Sequence, residues 1–376
     1  MRVVLLVFLC VLVAPLQAAA APPAPPEGWP RHLAVGVADQ PGGARAVAGR
    51  RLDARYQYLA GGVDTGNGWS TWNEDATFVS RYVDESRRAG VLPVFTYYML
   101  LQSGSASGDE ADRDLANLRD PALMRAYFAD LRLAFRRVSG ARAVVHVEPD
   151  LWGYVQQRGG DDAAAVPAAV ARSGDPELAG LPDTAAGFAQ AVVRLRDRHA
   201  PGAILAWHLS SWGTNDSHTA NDLPGPRIDA LAARSAAFYR SLGASFDLVF
   251  NDVADRDDGF RRVELGERVV GHHWGHGDVG RHLRYVRGFV RGTGRPVVLW
   301  QLPLGHRRLP NTRGRYRDNR VDLLLGSRRN LRRARAAGIV GLLFGAGAEG
   351  CTTPQTDGGH FYRVARRYAR ARLRLA

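Results

Sequence analysis

Runs of Val, Leu, Ile, Phe and Tyr recur eight times along the chain, at 33–39, 56–62, 92–98, 143–148, 203–209, 246–252, 296–302 and 339–345. Short continuous apolar runs bounded by Gly, Pro, Asn and Asp are the pattern of strands buried on both faces. Between most of them the apolar positions switch to helical spacing, at 77–88, 122–137, 184–198, 228–242, 279–291, 321–337 and from 360 onward. Strand and helix therefore alternate, which defines an α/β protein. Eight such strands predict a closed parallel sheet, a (β/α)8 TIM-like barrel in a single domain over 28–376, in preference to an open doubly wound sheet. The first connection, 40–55, is the weakest, because Pro41-Gly42-Gly43 leaves room for only a poor helix. The Ala-, Gly- and Asp-rich stretch 158–182 is expected as a long loop or a loop with one short helix, a length that marks function or mobility.

Ahead of the first strand, residues 1–20 have the build of a secretory signal peptide: Arg2, an apolar core over 3–15, and Ala18-Ala19-Ala20 as a small-residue cleavage site. Residues 21–27 form a proline-rich leader. The protein is expected to be secreted, to the extracellular space or cell envelope. No later apolar stretch is long enough for stable membrane insertion. Cleavage would remove Cys10 and leave Cys351 alone, so no internal disulfide is expected and the fold must be held by its core.

The formal charge is +13, and all 50 basic side chains are arginine. A biased coding sequence explains the absence of lysine more simply than selection for bidentate contacts. Runs such as Arg328-Arg329, Arg332-Arg333 and Arg366-Arg367 have helical spacing and read as solvated outer faces. The excess charge favours anionic polymers such as acidic glycans. Nucleic acid is not expected as a partner, since no recognition motif accompanies the charge. Neither G-x-G-x-x-G nor G-x-x-x-x-G-K occurs, so nucleotide binding has no support, and the reading calls for no cofactor.

One stretch stands out for chemistry, Val144-Val145-His146-Val147-Glu148-Pro149-Asp150-Leu151-Trp152, where an apolar run ends in two carboxylates and an aromatic. In an extended segment His146, Glu148 and Asp150 share one side, and Pro149 keeps Glu148 out of helical dihedrals. A barrel gathers its active site at the C-terminal ends of its strands, so the other ends supply the remaining candidates. They are Asp64 and Trp69 after strand two, and Tyr97, Tyr98 and Gln102 after strand three. Trp207, His208 and Trp212 follow strand five, Asn251 and Asp252 strand six, and Trp300, Gln301 and Asn319 strand seven. Five of the eight tryptophans (Trp69, Trp152, Trp207, Trp212 and Trp300) fall at or just beyond these ends. Flat rings beside amide, carboxyl and imidazole groups suit the apolar faces and hydroxyl rim of a sugar.

Glycoside hydrolysis requires two carboxyl groups across the scissile bond. Glu148 is the expected general acid, because it lies deepest in the apolar strand where desolvation raises its pKa. Asp252 or Asp150 is its expected partner. The layout resembles the (β/α)8 glycoside hydrolases, and Val147-Glu148-Pro149-Asp150 is similar to the E-P-D signature after a barrel strand of family 6 cellulases. The likeness spans the mature chain at the level of fold and a few residues at the level of motif. The other aspartate motifs of that family are missing. In the large clan with glutamates after strands four and seven, Glu148 would match the first, but strand seven here ends in Trp300-Gln301. The resemblance thus implies a polysaccharide or oligosaccharide substrate and a divergent family with its own catalytic pair.

Two rival readings remain. His272-His273-Trp274-Gly275-His276 offers histidines at i and i+4 with Asp278 nearby, a set that could hold a divalent metal in a glycan hydrolase or deacetylase. A non-catalytic glycan-binding barrel would need the aromatics and not the acids. No G-x-S-x-G occurs and Cys351 has no evident histidine partner, which argues against nucleophilic serine or cysteine chemistry.

Overall fold

Eight parallel strands close on themselves in chain order, β1 pairing with both β2 and β8. A computed structural model describes residues 21–219, 221–267, 273–345 and 347–375. The expected signal peptide and His272 lie outside the described residues. The strands are β1 (Ala34–Ala38), β2 (Ala54–Leu59), β3 (Leu92–Tyr97), β4 (Val144–Val147), β5 (Ile204–His208), β6 (Leu248–Asp252), β7 (Val297–Leu302) and β8 (Ile339–Phe344). All eight predicted runs are strands, and the fold is a (β/α)8 barrel.

Outside the strands run α1 (Ala44–Gly49), α2 (Phe78–Ala89), α4 (Pro121–Val138), α6 (Ala185–His199), α7 (Gly225–Ser241), α9 (His276–Thr293), α10 (Arg328–Ala336) and α11 (His360–Ala369). The first is only six residues long, as the glycines before it predict. Helix starts are written in the sequence. Asp120 accepts from the backbone N–H groups of Ala122 and Leu123 ahead of α4, with Pro121 at its first position, and Thr184 accepts from Gly187 ahead of α6. Three further helices, α3 (Glu110–Arg119), α5 (Pro149–Gly159) and α8 (Asp258–Val263), sit in the connections that leave β3, β4 and β6. They were not expected from the pattern, and all of them decorate the C-terminal end of the barrel. The stretch 158–182 carries three single turns of 3-10 helix at 163–165, 171–173 and 176–178.

Alternation decides which side chains fill the barrel. Ala54 and Tyr56, Leu92 and Val94, Val144, Ile204 and Ala206, Leu248 and Phe250, Val298 and Trp300 form the inner cluster. Their neighbours in sequence face the helices and belong to the larger outer core. Trp29 plugs the N-terminal end, with its indole N–H on the Val340 carbonyl at 3.1 Å. The barrel interior is therefore stoppered at the bottom by Trp29 and polar at the top.

Candidate active site

The inward positions at the ends of β2 to β7 build the site. Tyr58, Tyr98, His208, Asp252 and Trp300 continue the inward rows, and Asp150 enters from the first turn of α5. Trp300 is the floor, with ring contacts to Tyr58 at 5.8 Å, His146 at 4.9 Å and His208 at 5.7 Å. Tyr98 donates its hydroxyl to Asp150 Oδ2 at 2.9 Å, and the Gln301 amide meets the Tyr58 hydroxyl.

A hydrogen-bonded chain descends from Asp252 into the barrel. His208 Nε2 lies 3.1 Å from Asp252 Oδ1, His208 Nδ1 3.2 Å from His146 Nε2, and His146 Nδ1 3.3 Å from Thr96 Oγ1. A carboxylate only accepts, so His208 donates through Nε2. Burial, reinforced by His208, holds the His146 pKa well below the usual histidine range. The tautomers that satisfy the chain run Thr96 to His146, His146 to His208 and His208 to Asp252.

Both aspartates are half-buried, and they differ in their partners. Burial raises the Asp150 pKa above the usual carboxylate range, against the opposing effects of His208 and the Tyr98 hydroxyl, with Asp252 and Glu110 adding repulsion. Asp252 keeps 23% of its side-chain surface exposed. Beside Asp150, the Tyr154 hydroxyl donates to Glu110 at 3.0 Å, and its ring lies 4.9 Å from that of Trp212. The Trp212 indole rests on the bare backbone of Gly153, where a Cβ would come within 2.3 Å of it.

Glu148 departs from expectation. Its backbone turns left-handed, φ 47° and ψ 71°, so the inward alternation stops at Val147. Proline at the next position disfavours right-handed helical dihedrals, and here the backbone takes the left-handed region in place of the extended one. The side chain swings behind the wall, fully buried, with Oε1 accepting from the N–H groups of Met99 and Leu100 at 3.0 and 3.1 Å. Burial pushes its pKa up to about 8, as the sequence reasoning anticipated, but at a place without solvent access. Glu148 holds the start of the β3 loop.

Several other candidates are likewise structural. Trp207, Asn251 and Tyr97 fall between inward residues and therefore face out. Trp207 packs on Phe289 and Tyr239. Asn251 donates to Leu209 O at 2.6 Å. The Tyr97 hydroxyl and the Trp69 indole both donate to Asp130 at 2.7 Å. Trp152 is on the buried face of α5 with its N–H on Val147 O. Asp64 accepts from Gly104 N, and Gln102 Oε1 accepts from Gly61 N, so both close loops. Asn319 donates to Trp274 O at 2.7 Å. Tyr98, His208, Trp300, Gln301, Asp150 and Asp252 converge as a group, whereas Trp212 meets Tyr154 and Gly153 beside it. Tyr58 was missed, although the inward row Ala54, Tyr56, Tyr58 carries the signal, and His146 is a buried, hydrogen-bonded interior histidine.

The histidine cluster does not converge among the described residues. His273 Nδ1 binds Asp258 Oδ2 at 2.9 Å, whereas His276 Nδ1 meets the Asn330 amide at 3.3 Å. Asp258 belongs to a buried knot with Asp257, Asp318 and Arg320. There Arg320 Nη1 reaches Asp258 at 2.5 Å and Asp318 at 2.9 Å, and Asp257 accepts from Gly305 and Thr352 N–H groups. This knot ties the loops after β6, β7 and β8 together. A cavity of about 780 Å³ lies at the opposite end of the barrel, beside Pro30, Leu52 and Pro93, away from the converging acids.

No protein-family model matches the chain, and no curated protein matches its sequence. Among solved structures it is similar to a modular endo-β-1,4-mannanase from Cellulomonas fimi, of glycoside hydrolase family 26, with a TM-score of 0.53 at 10% identity over 90% of this chain and 70% of that one. It is similar also to GH26C from a Muricauda species, with a TM-score of 0.52 at 9% identity over 90% of this chain and 85% of that one. At such identity the likeness establishes the fold, a (β/α)8 barrel of the kind on which glycoside hydrolases are built.

Proposed function

We propose that the protein is an exported glycoside hydrolase that cleaves a polysaccharide with Asp150 as general acid and Asp252 as the opposing carboxylate. The observation that carries this reading is the pair of half-buried aspartates at the barrel mouth, Asp150 held by the Tyr98 hydroxyl and Asp252 by His208 Nε2. Asp150 is held toward its protonated form by burial, the condition for protonating a glycosidic oxygen. Asp252 is half-buried, as Asp150 is, and is oriented by His208, as a nucleophile or base requires. Tyr154 and Trp212 offer a rim on which a sugar ring can stack, and the Tyr58, Tyr98 and Gln301 polar groups suit its hydroxyls. Fold likeness to glycoside hydrolases raises the weight of this chemistry over others a barrel can host. The N-terminal charge and apolar core support export.

The test is release of reducing ends from a panel of polymers, with β-1,4-mannan included because the Cellulomonas fimi neighbour is a mannanase. Wild type should act on one polymer, and Asp252→Asn should lower the turnover at least about 100-fold, the usual range for losing an acid–base group. Full activity in that variant would remove Asp252 from the mechanism. Mass spectrometry of the protein recovered from the culture medium should show an N-terminus near residue 21.

A further inference from the structure

We propose a second glycan site, a groove for an anionic polysaccharide on the outer wall of the barrel between α9 and α10. The groove has a volume of about 600 Å³, and Arg284, Arg287, Arg291 and Arg333 line it with a single carboxylate, Asp229. Arg284 engages both oxygens of that carboxylate, at 2.8 and 2.6 Å. Asp229 is thereby held below the usual carboxylate range, and it neutralises no second guanidinium at contact.

Some arginines elsewhere find acids. Arg55, Arg132, Arg196, Arg234 and Arg320 each pair with at least one carboxylate. Among the described residues Arg287 and Arg291 make no ion pair or hydrogen bond, and the Arg333 side chain donates only to Asn330 Oδ1, at 3.2 Å. The local sequence explains this. Helix α10 holds five arginines and no acid, and the one acid of α9, Asp278, is taken by Arg281.

Arg287 and Arg291 are one helical turn apart, about 6 Å along the axis, so the free guanidiniums form a row suited to a repeating oxyanion. No aromatic residue lines the groove. Single-stranded nucleic acid binds through base stacking as well as charge, so the lining favours a glycan bearing carboxylate or phosphate groups. The groove is independent of the aspartates at the mouth. Its role would be to hold the protein on an anionic polymer.

The experiment measures binding of polygalacturonate, neutral dextran and mixed-sequence single-stranded DNA to wild type and two triple variants. The groove variant is Arg287→Gln with Arg291→Gln and Arg333→Gln. The control is Arg366→Gln with Arg367→Gln and Arg370→Gln on and beside α11, exposed positions outside the groove. Each variant removes three charges from +13, leaving 13 − 3 = +10. The groove variant should bind polygalacturonate about tenfold more weakly, with a log–log salt slope shallower by about two to three, while the control stays within about twofold of wild type. Equal losses in both variants would mean that net charge alone acts, and would overturn the site. Tighter binding of DNA through the same three arginines would reassign the groove to nucleic acid, and absence of polygalacturonate binding at low salt would end the proposal. Thermal unfolding of both variants checks that each is folded.

Discussion

Glu148 and Asp150 stand two residues apart, and one backbone turn gives them opposite fates. The left-handed conformation at Glu148 costs about 1–2 kcal/mol for a residue with a Cβ, and two backbone N–H groups on its carboxyl offset that cost. Its pKa rises from 4.5 to about 8 on burial, so the folded protein binds this proton more tightly than the unfolded chain. That contribution is fully present below about pH 4.5 and is lost as the pH climbs to about 8. Wild-type stability should therefore fall across this window, and Glu148→Gln should flatten the profile and gain on wild type at alkaline pH, as read by urea unfolding at pH 5 and pH 8.5. At Asp150 the Tyr98 hydroxyl favours the charged carboxylate. Tyr98→Phe should raise the Asp150 pKa further and move the alkaline limb of the pH–rate profile to higher pH; an unmoved limb would separate Asp150 from that ionisation. Asp252 and His208 were legible from inward alternation alone. Asp150 reaches the mouth from the first turn of a helix, where the sequence predicts a continued strand, because the turn at Glu148 depends on Met99 and Leu100, partners remote in sequence.

At the scale of elements, the strand pattern was legible because each run is apolar on both faces and ends in turn residues. The end of β2 was not. The predicted run 56–62 ends three residues beyond the observed Leu59, which moved attention from Tyr58 to Asp64, a loop residue. Helices α3, α5 and α8 were missed because they are short and lie in polar connections. Helix α5 positions Asp150 and carries the seat of Trp212. Gly153→Ala should displace that indole, cost about 1–3 kcal/mol and weaken substrate binding, measured as a raised KM with kcat less affected. The buried knot under the β6–β8 loops makes its own prediction. Arg320→Met would leave Asp258 and Asp318 without their guanidinium, with an expected loss of about 3–5 kcal/mol in urea unfolding. A loss under about 1 kcal/mol would show that the knot does not hold the loops.

At the scale of the whole molecule, the stoppered bottom and polar mouth give the barrel one chemical end, as the reading of strand ends assumed. Aromatic residues were the misleading signal. Their abundance at strand ends suggested sugar platforms, but the outward parity of Trp207 and the inner face of α5 for Trp152 send them into packing. Charge was legible as an excess and not as a place, because only the fold sets Arg284, Arg287, Arg291 and Arg333 around one groove with Asp229 as its lining carboxylate. The position of the acid decides the chemistry at the mouth. Its most direct measurement is kcat on the responsive polymer for Glu148→Gln beside Asp150→Asn at pH 6. Asp150→Asn should lose at least about 100-fold while Glu148→Gln stays within a few-fold of wild type. The reverse order would return the acid to Glu148 and contradict the site described at the mouth.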